Sequence, residues 1–149
     1  MVRIWDLPPS LLCRQHLLGE HRELHGLWRI LTEDRQGYAQ HPETRRWRGK
    51  LAALYERHEA LTEEMARRGY RHASPLDHRQ ATGSAVQNDF VDPLEAQFAI
   101  LRNKGCDCAV PNDETNRSSQ CKRGRPEQGM LLTETTSTDT LASLSAAPP

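Results

Sequence analysis

Cys13, Leu17, Leu24, Trp28 and Leu31 recur at the spacing of an α-helix. At about 100° per residue they fall on one stripe, the set that a helix turns toward a core. A helix with a single apolar stripe must be covered by another element, so this pattern commits the chain to helix-on-helix packing unless a sheet is at hand. Further helical stripes follow. Leu51, Leu54, Tyr55, His58, Leu61 and Met65 keep i, i+3, i+4, i+7 spacing, and Leu94, Phe98 and Leu101 make a shorter one. No segment of useful length alternates as a strand would.

The boundaries read from local chemistry. Leu7-Pro8-Pro9 ends an extended N-terminal segment, because a residue before proline is pushed out of the helical region while proline suits a first helical turn. The first helix then runs to about Thr32. His41-Pro42-Glu43 opens a second helical stretch that reaches Arg68, with Gly69 as its stop and Gly49 interrupting its first turns. Residues 70–91 form a long connection, and Asp92-Pro93-Leu94-Glu95 starts a third helix that Gly105 ends. The expected fold is all-α, a compact three-helix domain with an extended N-terminal arm.

Composition divides the chain of 149 residues. Every Trp, Tyr and Phe lies at or before Phe98, and from Val110 onward Ser, Thr, Pro, Gly, Asn and Gln dominate without a helical or alternating period. Such a segment cannot bury enough apolar surface to offset the entropy of ordering it. We therefore expect a folded domain over 1–110 and a disordered C-terminal tail over 111–149. No apolar run is long enough to cross a membrane, and "MVRIWDLPPSLL" lacks the apolar stretch of a signal peptide, so a cytoplasmic, nucleoid-associated protein with no membrane partner is expected.

Net charge is zero, so bulk charge selects no partner. Distribution says more, because "RRWRGK" places Arg45, Arg46 and Arg48 around Trp47, a cluster able to hold phosphates or to serve as a solvated helix surface. The cysteines are Cys13, Cys106, Cys108 and Cys121. Cys106-Asp107-Cys108 is tighter than an ordinary zinc knuckle, which leaves a structural zinc open without calling for one. No metal and no cofactor are expected.

The face of the first helix opposite its apolar stripe is unusual. Gln15, Gly19, Arg22 and Gly26 line up there, with His16 and Glu23 on one shoulder and His21 and His25 on the other. A mid-helix glycine costs roughly 1 kcal/mol against alanine, so two on one polar face suggest close approach of another backbone. His21 and His25 have the i, i+4 spacing of H-E-x-x-H zinc proteases, but Glu23 stands two residues after His21, on the wrong side of the helix for that chemistry. They read instead as hydrogen-bonded side chains at the core edge. No glycine-flanked serine or cysteine nucleophile occurs, and Glu20 with Glu23 is only a weak carboxylate pair.

A free α-amine remains as a nucleophile. Its pKa of about 7.7–8.0, against about 10.4 for lysine, leaves roughly a tenth of it neutral at pH 7. "MVRI" begins with methionine before a small residue, a context in which removal of the initiator exposes the amine of Val2. The arm ending at Pro8-Pro9 is long enough to fold along the Gly19/Gly26 face and bring that amine beside Glu23.

"VRI" at 2–4, "QHLLGEHREL" at 15–24 and "KLAALYERHEALTEEMARRGY" at 50–70 resemble the pyrimidine-dimer DNA glycosylases of the phage endonuclease V type, which are also AP lyases. The resemblance implies an N-terminal arm between the first and third helices of a compact helical fold. It also implies a mechanism in which the N-terminal amine attacks C1′ of a dimer nucleotide, an imine forms, and β-elimination cuts the strand. By position, Val2 is the implied nucleophile and Glu23 the carboxylate that stabilises the cationic sugar and moves protons. Arg3, Gln15, His16 and Arg22 are the implied contacts to phosphates and the damaged nucleotides, with Arg45, Arg46 and Arg48 adding peripheral charge.

Departures from the family pattern bear on lesion choice more than on the lyase step. Valine replaces the threonine of the phage enzyme at the N-terminus, Gly26 stands where that enzyme has an arginine, and the aromatic C-terminal segment is missing. The implied partner is double-stranded damaged DNA, bound by a monomer; the alternative is a catalytically inactive helical nucleic-acid-binding module.

Overall fold

A computed structural model describes residues 3–111. Four α-helices follow in order: α1 (Arg14–Thr32), α2 (Pro42–Arg46), α3 (Leu51–Arg67) and α4 (Leu94–Asn103), with short 3-10 turns at Pro9–Leu11 and His78–Gln80. No strand longer than an isolated bridge occurs among the described residues. The all-α expectation holds, with four helices in place of three. The tail expected from residue 111 lies, Pro111 apart, outside the described residues.

The extra helix arises inside the second predicted stretch. After Arg46 the chain turns through Trp47 to Lys50, and the Trp47 indole is buried with its Nε1 donating to Glu43 Oε1 at 3.2 Å. α3 then starts at Leu51 without a side-chain cap on Lys50. Its first amides are satisfied by the distant connection instead: Ala52 N–H donates to Thr82 O at 2.9 Å and Ala53 N–H to Ser84 O at 3.1 Å. Helix starts leave such donors orphaned unless something accepts from them. Residues 82–84 are therefore a strap over the start of α3, locked by Ser84 N–H to Gly49 O at 2.9 Å. Gly83 makes this approach possible, since a Cβ there would lie 2.1 Å from Gly49 O and its φ is +81°.

The core forms chiefly between α1 and α3. Leu17, Leu24, Leu27 and Trp28 of α1 meet Ala53, Leu54, Leu61 and Met65 of α3, and Leu101 joins from α4. The N-terminal arm belongs to this core, because Ile4, Trp5 and Leu7 are buried. Asp6 fixes its position: its N–H donates to Gln97 Oε1 and its carboxylate accepts from Gln97 Nε2, both at 2.9 Å, while Arg46 Nη1 donates to Asp6 Oδ1 at 2.8 Å. α3 ends as the sequence indicates, with Gly69 N–H donating to Ala66 O and Tyr70 N–H to Met65 O, both at 2.9 Å, the paired bonds of a glycine-terminated helix. Among the described residues no helix is long and apolar enough to cross a membrane.

Candidate active site

α1 turns Gln15, His16, Gly19, Glu20 and Glu23 to one side, the arm adds Arg3 and Trp5, and α4 closes the space with Ile100 and, just past its end, Lys104. The cleft so formed has a volume of about 370 Å³. Four residues singled out in the sequence, Arg3, Gln15, His16 and Glu23, thus line one space. The period of α1 explains why, since positions 15, 16, 19 and 23 share a face.

The floor is an ion pair. Glu20, fully buried, accepts from Arg57 Nε at 2.7 Å and Nη2 at 3.0 Å, and Arg57 Nη1 also holds Leu7 O at 2.8 Å. Burial pushes the Glu20 carboxyl up to about 7, and the Arg57 guanidinium opposes the rise. This carboxylate binds α1, α3 and the arm together, so the Glu20/Glu23 acid–base pair gives way to a structural Glu20 and a cleft-lining Glu23.

The cleft's cations are differently placed. Arg3 pairs with Asp92 at 2.8 Å and lies over the Trp5 ring at 5.1 Å, while Lys104 stands near enough to His16 to lower its pKa, after burial as the larger cause. Lys104 escaped the sequence reading because only the packing of α4 brings it to α1.

Arg22 is exposed on α1 but does not line the cleft. Arg45 and Arg48 are also exposed, and Arg48 Nη2 donates to Ala39 O at 2.8 Å. Arg46 requires a correction. It is buried, its guanidinium is shared among Asp6, Glu43, Ile4 O and Asp89 O, and it stacks at 4.8 Å on Trp47. A side chain with its donors spent internally anchors the arm to α2 and is not a phosphate contact. Val2 lies outside the described residues; Arg3, the first described, is at the cleft wall.

The glycines also need revision. A Cβ at Gly19 or Gly26 would meet no described atom within 4 Å, so residues 3–111 supply no close backbone approach there. Gly19 leaves cleft space open instead.

On another side of α1, His21 and His25 are half-buried and hydrogen-bonded, as the sequence indicates, with Ser74 Oγ 3.4 Å from His25 Nε2. Their Nε2 atoms are 3.2 Å apart, and both rings pack on His58 of α3 and, through His21, on His72. Burial first, then the neighbouring rings, brings His21 down to about 4, and burial likewise lowers His25 and His58. These rings are neutral near pH 7.

The model of the pyrimidine dimer DNA glycosylase family matches residues 2–78, more than half of the chain. No curated protein and no solved structure matches. The matched region carries the arm, α1, α2 and α3, and so the wall that holds Arg3, Gln15, His16 and Glu23, while Ile100 and Lys104 fall beyond it. The chain belongs to the pyrimidine dimer DNA glycosylase family.

Proposed function

We propose that the cleft between the arm, α1 and α4 acts on cyclobutane pyrimidine dimers in duplex DNA, as a glycosylase and then as an AP lyase, with the α-amine of Val2 as nucleophile. The observation that carries this reading is the convergence of Arg3, Gln15, His16 and Glu23 on one cleft. Val2 is covalently next to Arg3, a cleft residue.

The neutral amine attacks C1′ of the 5′ nucleotide, a C1′–N bond forms, and the glycosidic bond breaks as the pyrimidine leaves with the bonding pair. Loss of an amine proton and opening of the sugar at O4′ give the cationic imine. That imine is an electron sink: removal of a C2′ proton expels the 3′ phosphate and cuts the strand. Glu23 supports these steps, because a carboxylate beside a developing oxocarbenium or iminium charge lowers its energy, and it can carry the C2′ proton. Arg22, Arg45 and Arg48, all exposed, hold phosphates of the duplex, and the protein works as a monomer.

Borohydride reduction in the presence of abasic or ultraviolet-irradiated duplex should trap a covalent protein–DNA adduct. Peptide mapping should place it on the Val2 amine, with Met1 absent from the intact mass. Lys104 favours a second reading, since it brings another amine to the same cleft. An adduct at Lys104 would transfer the nucleophile's role to α4, and failure to trap any adduct would leave an inactive nucleic-acid-binding module.

A further inference from the structure

We propose that His21, His25, His58 and His72 form a closed site for a divalent cation of the zinc class. The four side chains come from three places, one turn of α1, the middle of α3 and the connection after it, yet each offers a ligand atom within 4.8 Å of the others. A tetrahedral ion with Zn–N bonds of about 2.0–2.1 Å holds its nitrogens about 3.4 Å apart and the imidazole centroids about 5 Å apart. The observed centroid separations are 4.6 Å for His21–His25, 5.2 Å for His21–His58, 5.0 Å for His21–His72 and 5.1 Å for both His25–His58 and His58–His72.

An independent feature points to a ligand. His58 is fully buried, its Nδ1 is 3.0 Å from Glu59 Oε1, and its Nε2 has no hydrogen-bond partner among the described residues. A carboxylate on the outer nitrogen fixes the tautomer and leaves an inward lone pair, the arrangement that metal-bound histidines commonly show. Without a cation, the 3.2 Å His21–His25 contact is a hydrogen bond in which one Nε2–H donates to the other Nε2, whereas a cation would accept the lone pairs of both. Ser74 Oγ lies 3.4 Å from both His25 Nε2 and His72 Nε2. Four imidazole nitrogens suit zinc and its neighbours over magnesium or calcium, and four protein ligands leave no open position for hydrolysis. None of the four lines the cleft. The ion's role is to pin α1, α3 and the following connection.

A second cluster, carried by different residues, points to a zinc-thiolate site. Cys13, His16, Cys106 and Cys108 also place their ligand atoms within 4.8 Å of one another. His16 Nδ1 is 3.2 Å from both Cys13 Sγ and Cys108 Sγ, and Cys13 N–H donates to Cys108 Sγ at 3.1 Å. Ala109 N–H to Leu11 O at 2.8 Å holds the segment in place. Three thiols and one imidazole are a structural zinc set, here spaced C-x2-H and C-x-C. The site would staple the residues after α4 to the start of α1 and fix the His16 ring in the cleft wall, with only its other nitrogen facing DNA.

The full chain, purified without a histidine tag and stripped by chelator, should take up two equivalents of zinc or cobalt(II) and gain thermal stability on doing so. Cobalt at the cysteine site should give a near-ultraviolet thiolate charge-transfer band, and cobalt at the histidine site should give only visible tetrahedral bands. His72→Gln should lower the stoichiometry to one and keep the charge-transfer band; Cys108→Ser should lower it to one and lose that band. Helical circular dichroism of each variant separates metal loss from unfolding, and the wild-type spectrum stands even if a variant fails to fold. No cobalt bands in folded protein overturns both sites. A stoichiometry unchanged in His72→Gln overturns the histidine site, and a Cys13, Cys106 or Cys108 disulfide in place of metal overturns the other. None of these readouts depends on DNA cleavage.

Discussion

Glu20 and Arg57 meet in a two-pronged pair, at 2.7 and 3.0 Å, directly beneath the cleft. The pair joins α1 to α3, and Arg57 extends it to the arm through Leu7 O. Removing one partner leaves a buried group uncompensated. Arg57→Leu should therefore destabilise the fold by about 3–5 kcal/mol in denaturant titration, whereas Glu20→Leu/Arg57→Leu together should cost much less. Equal losses in the single and double variants would mean that the pair contributes nothing beyond packing.

The arginines around Trp47 should separate into two kinds. Arg46 is buried among Asp6, Glu43 and backbone carbonyls, so Arg46→Gln should lower the melting temperature without altering how DNA affinity depends on salt. Arg22, Arg45 and Arg48 are exposed, and each replaced by Gln should flatten the slope of log K against log salt by about 1 with little change in stability. A slope that moves with Arg46 and not with the other three would reverse this assignment.

Much of this division follows from what a periodic pattern can and cannot carry. The stripe of α1 showed Leu17, Leu24 and Trp28 as core, and the glycine stops after α3 and α4 fell where expected, because both depend on neighbours in sequence. Gln15, His16 and Glu23 were legible as one face for the same reason. Leu27 and Glu20 were not seen as buried, since the covering elements are the arm and α3, which meet α1 only in the fold. The break after Arg46 depends on a strap more than 30 residues downstream in the sequence. Lys104 and the partners of His21 and His25 were hidden likewise: His58 and His72 lie far along the chain, and an i, i+4 pair alone indicated no metal.

Residues 112–149 should be dispensable for both folding and catalysis. The described unit closes on itself, with Arg102 Nη1 donating to Pro111 O at 2.8 Å and Ala109 N–H to Leu11 O at 2.8 Å. A chain ending at Pro111 should keep its melting temperature and its rate on abasic duplex. A large fall in either would assign the tail a role that its composition does not indicate.

Glu23 tests the proposed chemistry most directly. Its replacement by Gln keeps size and hydrogen bonding but removes the charge that opposes the developing cation. Strand cleavage should fall by about 10²–10³-fold while affinity for duplex DNA stays within a small factor. Unimpaired cleavage by Glu23→Gln would remove the carboxylate from the mechanism.

Gly19 and Gly83 should respond in opposite ways to the same substitution. At Gly83 an added methyl would collide with Gly49 O, 2.1 Å away, and must force the strap off the first turn of α3, so Gly83→Ala should destabilise the protein. At Gly19 it meets no described atom within 4 Å, and Gly19→Ala should raise stability by about 0.5–1 kcal/mol through helix propensity alone. Gly19→Leu is the informative extension. Leucine is a good helix former, so the fold should persist, but its side chain enters a cleft of about 370 Å³ beside Glu23. If that space receives the damaged nucleotide, kcat/KM on dimer-containing duplex should fall by about 10²-fold with the melting temperature unchanged, because displacing the reacting sugar by an ångström is enough to lose that factor. Full activity in folded Gly19→Leu would show that the nucleotide binds elsewhere.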